Sequence, residues 1–279
     1  MFLGYNTNGF PHHSLEDAVG VLTGLGYQGV GITLDYHALA PGSRRLAEQT
    51  AWLKAFLVEH GIRSVIETGA RFLLDPLRKH EPTLISPTAE ERSRRVAFYR
   101  HAIDTAAELG ADCVSIWSGT PRDGATEEEL LGWLVEGLEE TLDHAANKGV
   151  MVGFEPEPGM LIDTTAAFGR MLKRFDRPNL GLTLDIGHLQ CMGEPIPESI
   201  ETWADRLVNV HIEDMCRGDH THLFFGEGQI AFDAVFASLG AAGYAGGVYV
   251  ELSRHGHLAP SIAQRAKEFL SPLFDAIRS

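Results

Sequence analysis

The sequence predicts an α/β protein folded as a single closed (β/α)8 barrel, a TIM barrel. Eight short apolar, β-branched runs recur along the chain, separated by longer segments whose apolar residues fall at three- and four-residue spacing. Strand and helix in regular alternation imply parallel strands joined by right-handed crossovers. The length points the same way, because 279 residues is close to the ~250 that such a barrel fills as one domain. An open doubly wound sheet would usually carry a Gly-rich phosphate loop after its first strand. Here the first run is followed by TNGFPHH, with neither GxGxxG nor a P-loop. No Pro/Ser-rich linker or abrupt charge shift divides the chain, so residues 1–279 read as one domain.

The expected strands are Phe2–Asn6, Gly29–Leu34, Ser64–Thr68, Cys113–Trp117, Met151–Glu155, Leu180–Asp185, Leu207–Ile212 and Gly247–Leu252. Amphipathic segments such as Ser14–Gly26, Ser43–Gly61 and Ser93–Ala111 lie between them. Gly26, Gly61, Gly110, Gly149 and Gly243 stand where a helix must stop before the next strand. Thr164, Pro195–Pro197 and Asp233 stand where later helices are expected to begin. The longest insertion, Gly69 to Pro87, is expected to cap the mouth at the third strand. The run Arg92, Arg94, Arg95 and Arg100 reads as a solvated outer helix face.

Composition narrows the function. Twenty-three basic against 38 acidic side chains give a formal charge of −15, which speaks against a nucleic-acid partner held by phosphate neutralisation. Cys113, Cys191 and Cys216 are odd in number and lack CxxC spacing, which fits a reducing compartment. The opening MFLGYNTNGFPHH has no basic n-region and no apolar run of signal length. No stretch approaches the ~18 apolar residues of a membrane span. A cytoplasmic protein with no membrane partner is expected.

In such barrels the chemistry belongs to the C-terminal strand ends. The third strand ends near Glu67, the fifth at Glu155, the sixth at Asp185, the seventh near His211 and the eighth near Glu251. Crowding these groups around one mouth is costly unless they are paired. A divalent cation relieves both the burial and the mutual repulsion. Glu155, Asp185, His211 and Glu251 suit Mn²⁺, Mg²⁺, Co²⁺ or Zn²⁺, with Glu67 a substrate contact or a structural partner. Trp117, Phe154, Phe224 and Phe225 are candidates for an apolar wall, with core packing as the alternative. Asn6, at the end of the first strand, is a candidate to point inward at substrate, and His12 and His13 in the first loop are candidates to bond substrate hydroxyls, with ordinary loop histidines the simpler reading.

The segments GFEPEPG, LTLDIGH, VNVHIEDM with the later FGEG, and VYVELS resemble the xylose-isomerase-like TIM-barrel superfamily of sugar isomerases, ketose 3-epimerases, inosose dehydratases and endonuclease-IV-type enzymes. The resemblance implies one metal on Glu155, Asp185, His211 and Glu251, with Glu155 and Glu251 also the acid/base pair. It further implies substrate contacts at Glu157, His188 and Arg217.

One cluster departs from that pattern. His220 and His222 alternate just before FGEG, so in an extended strand both imidazoles face one way. With His188 they offer a possible second metal site, a zinc site by ligand type. In endonuclease-IV-type enzymes the resemblance places an additional zinc at the positions of His188 and His222, with an aspartate where His220 stands. The expected activity is a metal-dependent isomerisation or epimerisation of a small polyhydroxylated sugar, ketose or cyclitol-type substrate through an ene-diolate. A dehydratase or lyase, a multi-zinc phosphoesterase and a sugar-binding sensor are the alternatives. A homo-oligomer is compatible with the fold.

Overall fold

The structure is a computed structural model that describes residues 1–122 and 124–277. It contains β1 (Phe2–Asn6), β2 (Gly29–Thr33), β3 (Arg63–Glu67), β4 (Val114–Ile116), β5 (Val152–Phe154), β6 (Leu180–Asp185) and β7 (Leu207–Ile212). These are followed by β8 (Asp214–Cys216), β9 (Asp219–Leu223) and β10 (Gly247–Val250). The predicted barrel is the fold observed. Seven of these strands and β10 close a parallel cylinder in the order β1-β10-β7-β6-β5-β4-β3-β2, while β8 and β9 form a separate antiparallel hairpin.

The helices are α1 (Leu15–Gly24), α2 (Leu46–His60), α3 (Ala89–Leu109), α4 (Glu127–Lys148) and α5 (Thr165–Leu172). They continue with α6 (Ile186–Met192), α7 (Ile196–Trp203), α8 (Phe232–Ala241) and α9 (Ala259–Ala276). Their ends reflect local chemistry. Thr88 and Thr126 make reciprocal capping boxes with Glu91 and Glu129, which starts α3 earlier than the expected Ser93. Gly61, Gly110 and Gly149 take left-handed φ of 63°, 67° and 69° at the ends of α2, α3 and α4. Among the described residues, no helix is long and apolar enough to cross a membrane.

Tyr249, Phe2, Val65 and Cys113 form a small core of their own. The Tyr249 ring has space because Gly4, Gly29 and Gly247 surround it; a Cβ at Gly4 or Gly247 would overlap that ring, and one at Gly29 would overlap Phe2 and crowd Tyr249. One residue type at three strand positions thus lets a single aromatic side chain plug the barrel.

Glu67 and Asp185 end β3 and β6, and two more acidic side chains extend strands of the cylinder. Glu155 and Glu251 lie just beyond β5 and β10, yet the Glu155 N–H still donates to Ile116 O at 2.8 Å and that of Glu251 to Ile212 O at 3.1 Å. Both glutamates therefore stand on rigid strand ends rather than on free loops.

Arg95 corrects the solvated-face expectation. It is fully buried, with Nε donating to Pro82 O at 2.6 Å and Nη1 to Thr68 O at 3.2 Å. Nη2 donates to His80 O at 2.5 Å, and the guanidinium lies 4.6 Å from the Trp117 ring centre. Four basic residues on one helix cannot all face outward, and the fork of Arg95 supplies donors to loop carbonyls that have no helical partner. Arg95→Met is expected to destabilise the protein by about 3 kcal/mol, because it leaves these carbonyls unpaired. The midpoint of urea unfolding reads this directly, and an unchanged midpoint would contradict the pinning role.

Candidate metal centre

Four side chains from four consecutive strands around the barrel converge at its mouth. The His211 Nδ1 atom lies 3.0 Å from Glu155 Oε1, 3.1 Å from Glu251 Oε2 and 3.9 Å from Asp185 Oδ2. β6 and β7 pair with Asp185 opposite His211, which fixes two of the four by register alone.

Each carboxylate is anchored by one oxygen and offers the other. Asp185 caps α6, accepting the His188 N–H at 2.7 Å through Oδ1, while its buried Oδ2 has no hydrogen-bond partner among the described residues. Glu251 Oε1 accepts from Asn8 Nδ2 at 2.7 Å. Glu155 Oε2 accepts from Ser115 Oγ at 3.4 Å. His211 repeats the pattern, with Nε2 donating to Glu67 Oε1 at 2.9 Å and Nδ1 aimed at the three carboxylates.

The donor set fits a divalent cation. Candidate ligand atoms of all four residues lie within 4.8 Å of one another, the spread expected around an ion with bonds of about 2.1 Å. The orphaned Asp185 Oδ2 is the atom such an ion would satisfy.

Electrostatics at the mouth reflect this crowding. Burial, reinforced by the Glu251 and Asp185 charges and only partly offset by His211, pushes Glu155 up to about 8. Burial acts on Glu251 in the same direction, but the His211 hydrogen bond and the nearby imidazoles outweigh it and hold Glu251 well below its ordinary value. Burial alone would lower His211, yet Glu67 and Glu155 raise it well above its ordinary value.

The hairpin β8–β9 carries the second cluster. His220 Nε2 lies 3.0 Å from His188 Nε2, and atoms of His188, His220 and His222 lie within 4.8 Å of one another. His188 Nδ1 contacts Pro156 O at 3.1 Å and His222 Nδ1 contacts Glu251 O at 3.1 Å. Because a carbonyl only accepts, both Nδ1 atoms carry the proton and both Nε2 atoms present lone pairs. Burial first, then the neighbouring imidazoles, lower His220 to about 4.

Above both clusters lies a cavity of about 700 Å³, lined by Asn6, Glu67, Trp117, Glu155, Glu157, His188, His211, His220, His222 and Glu251 among others. Residues 24–273 match the family model described as xylose isomerase-like TIM barrel. This chain belongs to the xylose isomerase-like TIM barrel family. A ketose 3-epimerase of Arthrobacter globiformis is 29% identical over 224 residues, spanning 77% of this chain and 72% of that relative. An inosose dehydratase of Lacticaseibacillus casei is 26% identical over 284 residues, covering 92% of this chain and 89% of the relative. The structure of the IolI protein with a bound zinc atom aligns with a TM-score of 0.77 at 22% identity, over 98% of each chain. That last likeness shows a shared fold.

Several expected contacts fall elsewhere in this xylose isomerase-like barrel. Arg217 is exposed on the turn between β8 and β9, where a Cβ on Gly193 would meet its guanidinium, and it does not line the cavity. Phe154 stacks on Phe168 at 5.7 Å; strand alternation turns it toward the helices when its neighbour Glu155 faces the mouth. Phe224 packs on Phe225, which packs on Phe232 and Phe269. Trp117 alone of the four aromatics lines the cavity. His12 is exposed, and His13 packs edge-on against Phe10.

Asn6 lines the cavity, whereas Asn209, Glu213 and Asp214 carried too weak a sequence signal. Asn6 is buried with Nδ2 3.4 Å from Glu251 Oε2, in space that exists because a Cβ on Gly31 would overlap its amide oxygen. Asn209 Nδ2 lies 3.2 Å from Glu67 Oε1 and 3.0 Å from His211 Nε2. Glu213 is fully buried, and neither of its oxygens has a hydrogen-bond partner among the described residues. Burial, then the Asp185 and Glu251 charges, push Glu213 well above its ordinary value. Its position two residues beyond His211 on an extended segment was the available signal. Asp214 Oδ2 accepts the N–H groups of Gly226 and Gly228 at 2.8 and 2.9 Å and so folds the FGEG turn.

Glu67 lines the cavity, but its observed contacts are His211 and Asn209. It fixes which imidazole nitrogen faces the carboxylates. Glu67→Gln is expected to weaken divalent-cation affinity about 10–100-fold while leaving the fold intact. Titration calorimetry with Mn²⁺ measures this, and wild-type affinity in the variant would refute the orienting role.

Proposed function

We propose that this barrel is a divalent-metal-dependent isomerase or epimerase of a small sugar, ketose or cyclitol-type carbonyl compound. The observation that carries this reading is the pair Glu155 and Glu251. Both are anchored on strand ends, both aim one oxygen at the same imidazole, and their proton affinities are driven apart. Two carboxyls presented from different strands to one pocket are what an acid and a base acting on one carbon require.

Glu155, Asp185, His211 and Glu251 would hold the ion, with manganese, magnesium, cobalt and zinc all compatible with three carboxylates and one imidazole. When bound, the cation supplies positive charge for the substrate oxygens as they become ene-diolate-like. Glu251, held as a carboxylate, takes the proton from the carbon beside the carbonyl. Glu155 returns a proton from the other side. β5 and β10 stand three strands apart around the cylinder, so the two carboxyls approach the substrate from different directions. Return of the proton by the residue that took it, but to the neighbouring carbon of the ene-diolate, gives an aldose–ketose shift instead. Glu157 and His188 orient hydroxyl groups, and Trp117 forms the apolar wall. The Asn8 hydrogen bond keeps Glu251 aimed inward.

A second reading is supported by His188, His220 and His222. Two of the three present unprotonated Nε2 atoms, so the cluster suits a second cation, zinc by ligand type. Paired cations activate water and clamp phosphate oxygens, which would favour a small phosphoester. The dehydratase outcome shares the first proton abstraction and differs only in expelling a β-hydroxyl.

The test is incubation of the Mn²⁺-supplemented protein with ketoses in D₂O. Deuterium at the carbon next to the carbonyl, with a new epimer or isomer, supports the isomerase reading. An unsaturated or dehydrated product supports the lyase. No exchange, together with two equivalents of zinc that fall on replacing His220 and His222, supports the hydrolase.

A further inference from the structure

The rim of the mouth differs chemically from its acidic floor. Arg71, Lys79 and His80, all in the loop spanning residues 69–87, line the cavity together with Arg254 from the turn after β10. Lys79 and Arg254 have no hydrogen-bond or ion-pair partner among the described residues. Arg71 donates Nη2 to Asn8 O at 2.6 Å and lies 3.8 Å from Asp35, which leaves further guanidinium donors. In a chain with 38 acidic and 23 basic side chains, two cations without a carboxylate partner at one cavity are unexpected on composition.

The loop that supplies three of these groups is held in place. Ala70, Arg71 and His80 have positive φ of 55°, 29° and 67°, conformations that non-glycine residues rarely adopt. The buried Arg95 pins the same loop through Thr68 O, His80 O and Pro82 O. His80 Nδ1 contacts Gly69 O at 2.5 Å. Burial first, then the Lys79, Arg95 and Arg71 charges, lower His80 to about 4. Strain retained in a pinned loop marks a functional surface.

We propose that this rim is an anion subsite and that the substrate carries a phosphate monoester remote from the reacting carbon. The proposal rests on the sugar-type reading above and names the substrate class within it. A phosphate monoester brings a charge of about −1.5 to −2 and three acceptor oxygens at neutral pH, which Lys79, Arg254 and the remaining donors of Arg71 match from two loops. The floor carboxylates repel such a group and so set the orientation, carbonyl inward and phosphate outward. A cavity of about 700 Å³ lies within the range of about 300–1,000 Å³ that holds a drug-sized ligand, which leaves room for the extra group beside a sugar.

Ribitol 5-phosphate and ribitol are suitable probes because neither has a carbonyl, so binding is read without turnover. Calorimetry on the full chain, cation-loaded and chelated, is expected to show at least tenfold tighter binding of the phosphate in both forms, decreasing as salt is raised. The K79A/R254A double variant is expected to bring that ratio to within about twofold of unity, while its melting temperature shows that it remains folded. Equal binding of the two polyols overturns the proposal, as does an undiminished ratio in the double variant. A preference that disappears on chelation also overturns it, because the phosphate then sits on the floor cation. A protein that prefers the phosphate but exchanges no deuterium with any ketose keeps the subsite and loses the isomerase reading.

Discussion

Replacing Glu251 with glutamine is expected to lower turnover by about 10³-fold or more and to abolish deuterium exchange at the carbon beside the carbonyl. The amide retains the size of the side chain and its hydrogen bond from Asn8, which is 2.7 Å long in the parent. It removes both a negative donor to the cation and the base. Glu155→Gln should match this loss in overall turnover but differ in exchange. On the proposed reading Glu155 returns the proton on the second face, so abstraction by Glu251 can still wash deuterium into recovered substrate. Mass spectrometry of recovered substrate separates the two variants. Identical exchange in both would mean that the carboxyls do not divide the faces between them. Retention of near wild-type turnover in either would remove the pair from the chemistry.

These two glutamates were legible in the sequence because strand-end position is a strong signal. A TIM barrel exposes its C-terminal strand ends by construction, so an acid closing an apolar run at Glu155 or Asp185 already has an address. The barrel itself was legible for the same reason, since eight short apolar runs alternate with helical spacing. Boundaries moved by only a residue or two, as where β5 ends at Phe154 and β10 at Val250.

What was not legible depends on contacts between segments far apart in sequence. Arg95 is one of four arginines on its helix, and nothing local marks it as the one that is fully buried beneath the mouth loop. Asn8 becomes a site residue only because β1 lies beside β10 in the closed cylinder. Arg217 failed in the opposite sense. Its position matched a motif, but the β8–β9 turn carries it outward against Gly193. The phase of Phe154 is different in kind, because strand alternation alone turns it away from the mouth once Glu155 faces inward.

Removing the divalent cation is expected to make folding stability fall as pH rises from about 6.5 to 8, and restoring the ion is expected to reverse the fall. Glu155 titrates near its ordinary 4.5 when unfolded and at about 8 when folded. Between those values the native chain binds the extra proton, so stability decreases with increasing pH. The contribution is fully present below about 4.5 and is lost as the pH passes 8. Glu157 and Glu213, raised by burial and by neighbouring carboxylates, act in the same direction. So does His211, whose proton is held by Glu67 and Glu155 although burial opposes it. Asp185 and Glu251 lie below their ordinary values and act oppositely, a gain complete by about pH 5, and the histidines lowered by burial, His80, His188, His220 and His255, oppose the fall up to about pH 6.5. The net loss across the window is expected to be on the order of a few kcal/mol. A cation bound by Glu155, Asp185, His211 and Glu251 does electrostatically what those protons do, and it must displace them to bind. Its affinity should therefore rise with pH, and binding should release protons into a weakly buffered solution. Melting curves of chelated and Mn²⁺-loaded protein at pH 5, 6.5 and 8 test both statements. Parallel curves at all three values would mean that the four side chains do not share an ion. A gap that widens steadily toward pH 8 would tie the charge of the mouth to metal binding, whatever sugar the barrel accepts.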